Sequence, residues 1–339
     1  MHVTDLQTPA LLVDVDALDR NLAAMAAIHP GRRLRPHVKA HKCTSLAAAQ
    51  AALGHAAFTC ATPREVVGMA AAGVGDDLLL ANETVDLERL RAMAGCGVSV
   101  TVAVDSDETV RAAVRAGIRS CLVDVDVGLP RCGVPPERSG ALADLARSAG
   151  LEVRGVMGYE GHLMMVTDDA ERARAVERSM DLLLAAHADV GGEIVSAGGT
   201  GTFDLHDTRP ESARVTEVQA GSYALMDTHY AGRGVPFEQA LTVLGTVISV
   251  SGSRSVADVG LKSLGMDHGD PHIDGATVWF CSDEHVTFAL DHDHDHLHVG
   301  DRVRVVPAHV DPTMAMHDAV WLVRGDDVVD RWPIDLRGW

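Results

Sequence analysis

The sequence predicts an α/β chain, a (β/α)8 TIM-type barrel followed by a mostly antiparallel β domain. Three observations carry the prediction. Short apolar strands alternate with amphipathic helices through the first two thirds of the chain, and that alternation implies right-handed βαβ units in a parallel sheet. About eight such units close a barrel, whose usual size is ~250 residues; no GxGxxG follows the first strand, so an open dinucleotide-type sheet is the weaker alternative. From Leu241 onward, segments such as LTVLGTVISVSG, ATVWFCS, EHVTFAL, DRVRVVPAH and AVWLVRG alternate apolar and polar residues between turn signals, the pattern of an antiparallel sheet. The loop-like stretch GRGVPFEQA (232–240) marks the boundary. The expected division is a barrel over 1–235 and a β domain over 236–339, the first few residues being assignable to either.

The elements follow in order. ALLVDV (10–15) is a short buried strand, and Asp16 caps the helix ALDRNLAAMAAI. RLRPHVK is extended, because Pro36 disfavours a helical Arg35. Thr44 or Ser45 caps SLAAAQAAL, and AAFTCA is the next strand. Thr62 opens PREVVGMAAAG with Pro63 at the first helical position and Gly73 at the stop. The strand–helix pairs DDLLLA with VDLERLRAMAG, VSVTVAVD with SDETVRAAVRAG, CLVDVDVG with ERSGALADLARSAG, and LEVRGVMGY with a long helix opening at Asp168 continue the alternation. EIVSAGG and VTEVQAGSYALMD supply the last barrel strands.

Composition narrows the function. The chain is 47% hydrophobic and carries a net charge of −19, which argues against a nucleic-acid partner without forbidding a local pocket for one phosphate. Its six cysteines form no CxxC pair and sit mostly in apolar runs, as reduced thiols of a cytoplasmic protein do. The N-terminal MHVTDLQTPALLVD lacks a basic start followed by an apolar run, and no stretch reaches ~18 uninterrupted apolar residues, so neither secretion nor membrane spanning is expected.

Four stretches could carry chemistry. RRLRPHVKAHK (32–42) concentrates Arg32, Arg33, Arg35, His37, Lys39, His41 and Lys42 in an acidic chain. Strand alternation would put Arg35, His37 and Lys39 on one face, and like charge at a barrel-strand tip would lower the Lys39 pKa and suit it to Schiff-base chemistry; spacing alone favours a solvated basic loop. VDVDVGLPRCGV (123–134) delivers Arg131, a planar donor suited to an anionic oxygen. SAGGTGT (196–202) and QAGSY (219–223) place glycines with Thr or Ser near the seventh and eighth strands, where barrels commonly bind phosphate. VVPAHVDPTMAMHD (305–318), if extended, projects His309 and Asp311 from one face, an imidazole–carboxylate pair suited to Mn²⁺, Mg²⁺ or Zn²⁺, with His317 and Asp318 as secondary candidates. DHDHDHLH (291–298) counts more His and Asp, but alternation splits them across two faces of an expected hairpin loop, and adventitious metal uptake is the simpler reading.

Taken together, TPALLVDVDALDRN, RPHVKAHK, VDVDVGLPRCGV, GYEGHLMM, GGTGT, QAGSYALMD, DVGLKSLGMD, SDEH and PAHVDPTMAMHD resemble, in that order, the D-threonine aldolases and their D-serine dehydratase relatives. These are alanine-racemase-like (fold type III) pyridoxal phosphate enzymes. The resemblance spans residues 5–337. It implies that Lys39 bonds to the cofactor aldehyde, that Arg131 steadies the cofactor's phenolic oxygen, and that Tyr159 touches cofactor or substrate. Thr200, Gly201, Gly221, Ser222 and Tyr223 would cradle the phosphate. Gln219 would stand where alanine racemases carry an arginine facing the pyridine nitrogen. His309 and Asp311 match the family's divalent-metal pair beside the cofactor, Mn²⁺ or Mg²⁺ ahead of Zn²⁺. The dehydratase branch usually carries Cys at the second position, so Asp311 favours the aldolase branch.

The implied reaction cleaves a D-3-hydroxy amino acid of the D-threonine type to glycine and an aldehyde, with His162 as candidate base. A D-serine or D-3-hydroxyaspartate dehydratase is the alternative. A racemase needs a second acid/base group, a tyrosine from the β domain in alanine racemases, and Tyr159, Tyr223 and Tyr230 all precede that domain. A non-catalytic cofactor carrier would lack the β domain and metal pair. The resemblance also implies a homodimer.

Overall fold

The computed structural model describes residues 1–206, 215–292 and 296–339; the centre of the DHDHDHLH tract therefore lies outside the described residues. Two compact units emerge. One comprises Met1–Met25, Ala40–Ser45 and Ser222–Arg337; the other comprises Ala26–Lys39, Leu46–Gly221 and Gly338–Trp339.

The first strand, β1 (Ala10–Asp14), belongs to the former unit. In the latter, seven strands follow in chain order, every pair parallel: β2 (Ala57–Cys60), β3 (Asp77–Leu80), β4 (Ser99–Val104), β5 (Ser120–Asp124), β6 (Glu152–Met157), β7 (Ile194–Ala197) and β8 (Glu217–Val218). Strands β2, β3, β5 and β7 are buried at every residue, as parallel strands covered on both faces must be. Leu79, Ala103, Leu122, Met157 and Ile194 form one core cluster among them.

The remaining barrel position is filled by Leu34–His37. Leu34 bridges Val218 of β8 and His37 bridges Thr59 of β2, both in parallel. The amides of Arg35 and His37 donate to Val218 and Ala220 (2.9 and 3.0 Å), while Pro36, which has no N–H, offers its carbonyl to the Thr59 amide at 2.9 Å. This segment closes the sheet. The strand read first from the sequence, ALLVD, pairs elsewhere.

Helix starts follow local chemistry. Thr62 and Glu65 form a capping box around Pro63–Ala71, Ser106 and Thr109 another around Asp107–Ala116, and Asp168 caps Asp169–Val190. The first helix begins at Val15, one residue before the expected cap. Asp14 rather than Asp16 receives the Ala17 amide, at 2.9 Å.

The arginines of the basic stretch face the amino ends of the strands. Arg35, with a side chain 2% exposed, donates to Glu217 at 2.7 Å and to Asp77 at 3.1 Å. Arg154 grips the same Asp77 at 2.8 and 2.9 Å, and Arg32 reaches Asp76 at 2.8 Å. Burial alone would raise the Asp77 carboxyl, but Arg154 and Arg35 hold it below its ordinary 3.8. The expected shared face of Arg35, His37 and Lys39 is not formed, because Lys39 lies beyond the strand in a 3₁₀ turn, Val38–Ala40.

The other unit contains an eight-stranded sheet ordered β11-β12-β10-β9-β1-β14-β15, with β13 also on β9. Its strands are β9 (Leu241–Ser251), β10 (Arg254–Ala257), β11 (Ala276–Cys281), β12 (Val286–Leu290), β13 (Arg302–Val305), β14 (Ala319–Arg324) and β15 (Asp327–Pro333). All pairings are antiparallel except β1 with β14. Val3, Leu6, Ala10, Leu12, Leu244 and Val323 pack as one cluster, which explains why β1 sits here. All six cysteines are free thiols. Among the described residues, no helix is long and apolar enough to cross a membrane.

Candidate active site

Because the barrel strands are parallel and closed, their carboxyl ends gather at one rim. Lys39, half-buried between buried Val38 and Ala40, follows the first of these strands directly. Arg131, in the loop after β5, lies over the Tyr159 ring at 5.5 Å. Gly128 has φ +116°, and a Cβ there would stand 3.2 Å from the His162 ring, so the β5 loop and the exposed His162 touch. A Cβ on Gly199 would meet the Tyr159 ring at 3.5 Å, and one on Gly201 would meet the Met164 carbonyl at 2.9 Å. The glycine-rich turn is thus seated against Tyr159 and Met164, with Thr200 and Gly201 both buried in it.

Glu160, which the sequence reading passed over, organises that turn. It is fully buried and accepts from the Gly198 amide (3.2 Å), the Thr202 hydroxyl (2.7 Å) and His206 Nε2 (3.1 Å). Burial opposes its charge, yet His206 and Thr202 hold its carboxyl below the ordinary value. The signal was available as an acid between Tyr159 and His162, but nothing local says which loop it serves.

Gln219 donates from its side-chain amide to Ser196 at 2.8 Å, which aims the carboxamide along the β7 rim. Gly221 ends the barrel unit, whereas Ser222 and Tyr223 begin a 3₁₀ turn, Ser222–Ala224, assigned to the other unit. Tyr223 is wholly buried there, 5.5 Å from Phe237 between ring centroids, and Tyr230 shares that unit. At the carboxyl ends of β3, β4 and β5, Glu83, Asp105 and Cys132 bring ligand-type atoms within 4.8 Å of one another. Burial and then Glu83 push the neighbouring Asp124 carboxyl well above its usual range, and burial and Glu83 push the Cys132 thiol up to about 11.

The β unit carries the imidazole–carboxylate pair, but not on extended chain as expected. His309 is extended (φ −145°, ψ 120°) and stands at the N-cap position of the helix Val310–Met316 without a side-chain capping bond, and the first turn of that helix contains Asp311. That turn brings His309 Nε2 to 3.6 Å from Asp311 Oδ2. His309 Nδ1 meets both oxygens of Asp267 at 2.8 and 2.9 Å. Its ring stacks on His268 (3.8 Å, 16°), which stacks on His229 (3.9 Å, 26°). Burial works against a charge on His309, yet Asp311 and Asp267 hold its pKa above the usual value. His229 is pushed down to about 4, by burial first and then by His268 and His309. Asp227 receives the Val310 amide at 2.8 Å, which anchors the helix start. The secondary candidates are engaged elsewhere, His317 on the Ser263 carbonyl and Asp318 on Arg337.

Residues 13–229 match the family described as alanine racemase, N-terminal domain, and residues 240–323 match a putative serine dehydratase domain. The chain belongs to the alanine racemase N-terminal domain family. Within this family's reach, it is 34% identical to D-threonine aldolase of Arthrobacter sp, over 98% of this chain and 93% of that protein. The crystal structure of D-threonine aldolase from Filomicrobium marinum superposes with a TM-score of 0.91 at 35% identity, covering 98% of this chain and 96% of that one. D-threo-3-hydroxyaspartate dehydratase from Delftia sp. HT23 superposes with a TM-score of 0.89 at 26% identity, covering 100% of both chains, and a variant of it is known in a metal-free form.

Proposed function

We propose that the chain is a lyase, an aldolase that uses pyridoxal phosphate and a divalent metal to cleave D-3-hydroxy amino acids of the D-threonine type to glycine and an aldehyde. The observation that carries this reading is the His309–Asp311 pair, nitrogen and carboxylate oxygen 3.6 Å apart, in a chain that resembles D-threonine aldolases over nearly its full length. One imidazole and one carboxylate, with water or substrate oxygen completing the shell, suit Mn²⁺ or Mg²⁺ and allow Zn²⁺.

The residues fit both groups. The turn held by Glu160 presents Thr200 and Gly201, and with Gly221, Ser222 and Tyr223 these would bind the phosphate. Lys39 would bond to the cofactor aldehyde, Arg131 would donate to its phenolic oxygen while Tyr159 holds the guanidinium in place, and Gln219 would meet the ring nitrogen with a neutral amide. Pyridoxal phosphate, when bound, supplies the conjugated ring that takes up the electron pair left by carbon–carbon cleavage. His309 Nε2 and Asp311 would hold the metal, whose charge lowers the pKa of the substrate's β-hydroxyl. His162 would take that hydroxyl's proton on its imidazole and, being exposed, pass it to solvent.

The test is the product. Incubated with D-threonine and Mn²⁺, the loaded enzyme should release acetaldehyde and glycine. Release of 2-oxobutanoate would instead assign the dehydratase chemistry of the Delftia relative, and bound cofactor with neither product would return the racemase and carrier readings. Lys39→Ala should lose the visible band of lysine-bound cofactor; if the band persists, the attachment lies elsewhere, Lys42 first.

A further inference from the structure

We propose that Asp267 is a positioning residue for the metal site: its carboxylate holds the Nδ1–H of His309 and thereby presents the lone pair of Nε2 toward Asp311. The inference rests on the reading of His309 and Asp311 as the metal pair. Asp267 closes the stretch DVGLKSLGMD (258–267).

The fold carries Asp267 to its partner through backbone pairing. Gly265 forms an antiparallel bridge with His309, and its amide donates to the Thr313 hydroxyl at 2.8 Å. A Cβ at Gly265 would stand 2.4 Å from the Pro312 ring and 2.8 Å from the His309 carbonyl, so only glycine lets the two segments approach so closely. Two residues on, Asp267 meets His309 Nδ1 with both oxygens, at 2.9 and 2.8 Å.

A neutral imidazole carries one N–H and one lone pair, and the group bonded to one nitrogen decides which is which. A carboxylate only accepts, so Asp267 fixes the proton on Nδ1. Nε2 then faces Asp311 Oδ2 at 3.6 Å, beyond a good hydrogen bond. Two donors each ~2.1 Å from one ion stand roughly 3–4 Å apart, so this separation suits a shared cation. The stack of His268 on one ring face restrains rotation about χ2, while Asp267 secures the ring edge. Such outer carboxylates typically contribute about 10–100-fold to metal affinity. The Asp267 side chain is 57% exposed, so its removal leaves the core untouched.

The experiment compares Asp267→Ala, Asp267→Glu and Asp311→Ala with the parent protein, all loaded with pyridoxal phosphate. Mn²⁺ is titrated and the free ion read by electron paramagnetic resonance. His309 tautomers are read from ring ¹⁵N shifts of the metal-free protein at a pH high enough for the imidazole to be neutral, since Asp311 and Asp267 raise its pKa. Asp267→Ala should bind Mn²⁺ about 10–100-fold more weakly with unchanged stoichiometry. Its His309 nitrogens should shift away from the Nδ1–H form, and Asp267→Glu should restore part of both. Asp311→Ala should lose the site. Parent-like affinity in Asp267→Ala beside loss in Asp311→Ala would overturn the inference and leave the metal reading standing. Loss in Asp267→Ala with parent-like binding in Asp311→Ala would make Asp267 a ligand and overturn it too. Parent-like binding in Asp311→Ala and in a His309→Ala control would defeat the metal reading itself.

Discussion

A single buried carboxylate, Glu160, joins three partners that are distant in sequence: the Gly198 amide, the Thr202 hydroxyl and His206. Its oxygens accept at every contact, so an amide of the same shape cannot replace it without turning one acceptor into a donor. Glu160→Gln should therefore cost about 2–4 kcal/mol of stability and, because the turn it holds is the proposed phosphate cradle, weaken pyridoxal phosphate binding at least tenfold. Denaturant midpoints and titration of the cofactor band check the two effects separately. Unchanged cofactor affinity would show that the cradle is set by the glycines alone.

At the scale of elements, the segment Leu34–His37 closes the barrel and carries Arg35 into a charged network with Asp77, Glu217 and Arg154. Removing the charge from Asp77 takes a carboxylate away from the buried Arg35 and the partly buried Arg154, which should cost about 3–5 kcal/mol. The pH dependence has a definite sign. The folded-state pKa of Asp77 lies below its ordinary 3.8, so its contribution is complete above about pH 4 and is lost as pH falls through the lower folded value. The stability gap between parent and Asp77→Asn should accordingly hold steady down to about pH 4 and narrow below it, as measured by urea unfolding. A gap that stays constant or widens toward acid would contradict the network.

At the scale of the molecule, the cofactor candidates and the metal candidates fall in separate compact units. Lys39, Arg131, Tyr159, Thr200, Gly201 and Gln219 belong to the barrel unit, whereas His309, Asp311 and Asp267 belong to the β unit. Exhaustive chelation should therefore abolish aldehyde release while the visible cofactor band survives, and Mn²⁺ should restore turnover. Loss of the band on chelation would mean that the metal also holds the cofactor. Full turnover after chelation would remove the metal from the reaction.

What the sequence by itself determined was local in origin. Capping boxes at Thr62 and Ser106, the cap at Asp168, the strand–helix alternation and the change of texture at Leu241 all depend on residues a few positions apart, and so could be read directly. Lys39, Arg131, the glycine-rich turns and the His309–Asp311 spacing were legible as candidates for the same reason, with the order of motifs supplying the proposed chemistry. Only the tertiary structure decided which sheet receives β1, because a five-residue apolar strand has no signal for its partners. It likewise decided that Leu34–His37 closes the barrel, that Arg35 turns to Glu217 rather than joining Lys39, and that Asp311 reaches His309 through a helical turn. Glu160 and Asp267 stayed hidden because each acts on a loop that is brought to it by backbone pairing between distant segments, and no spacing within a motif encodes that meeting.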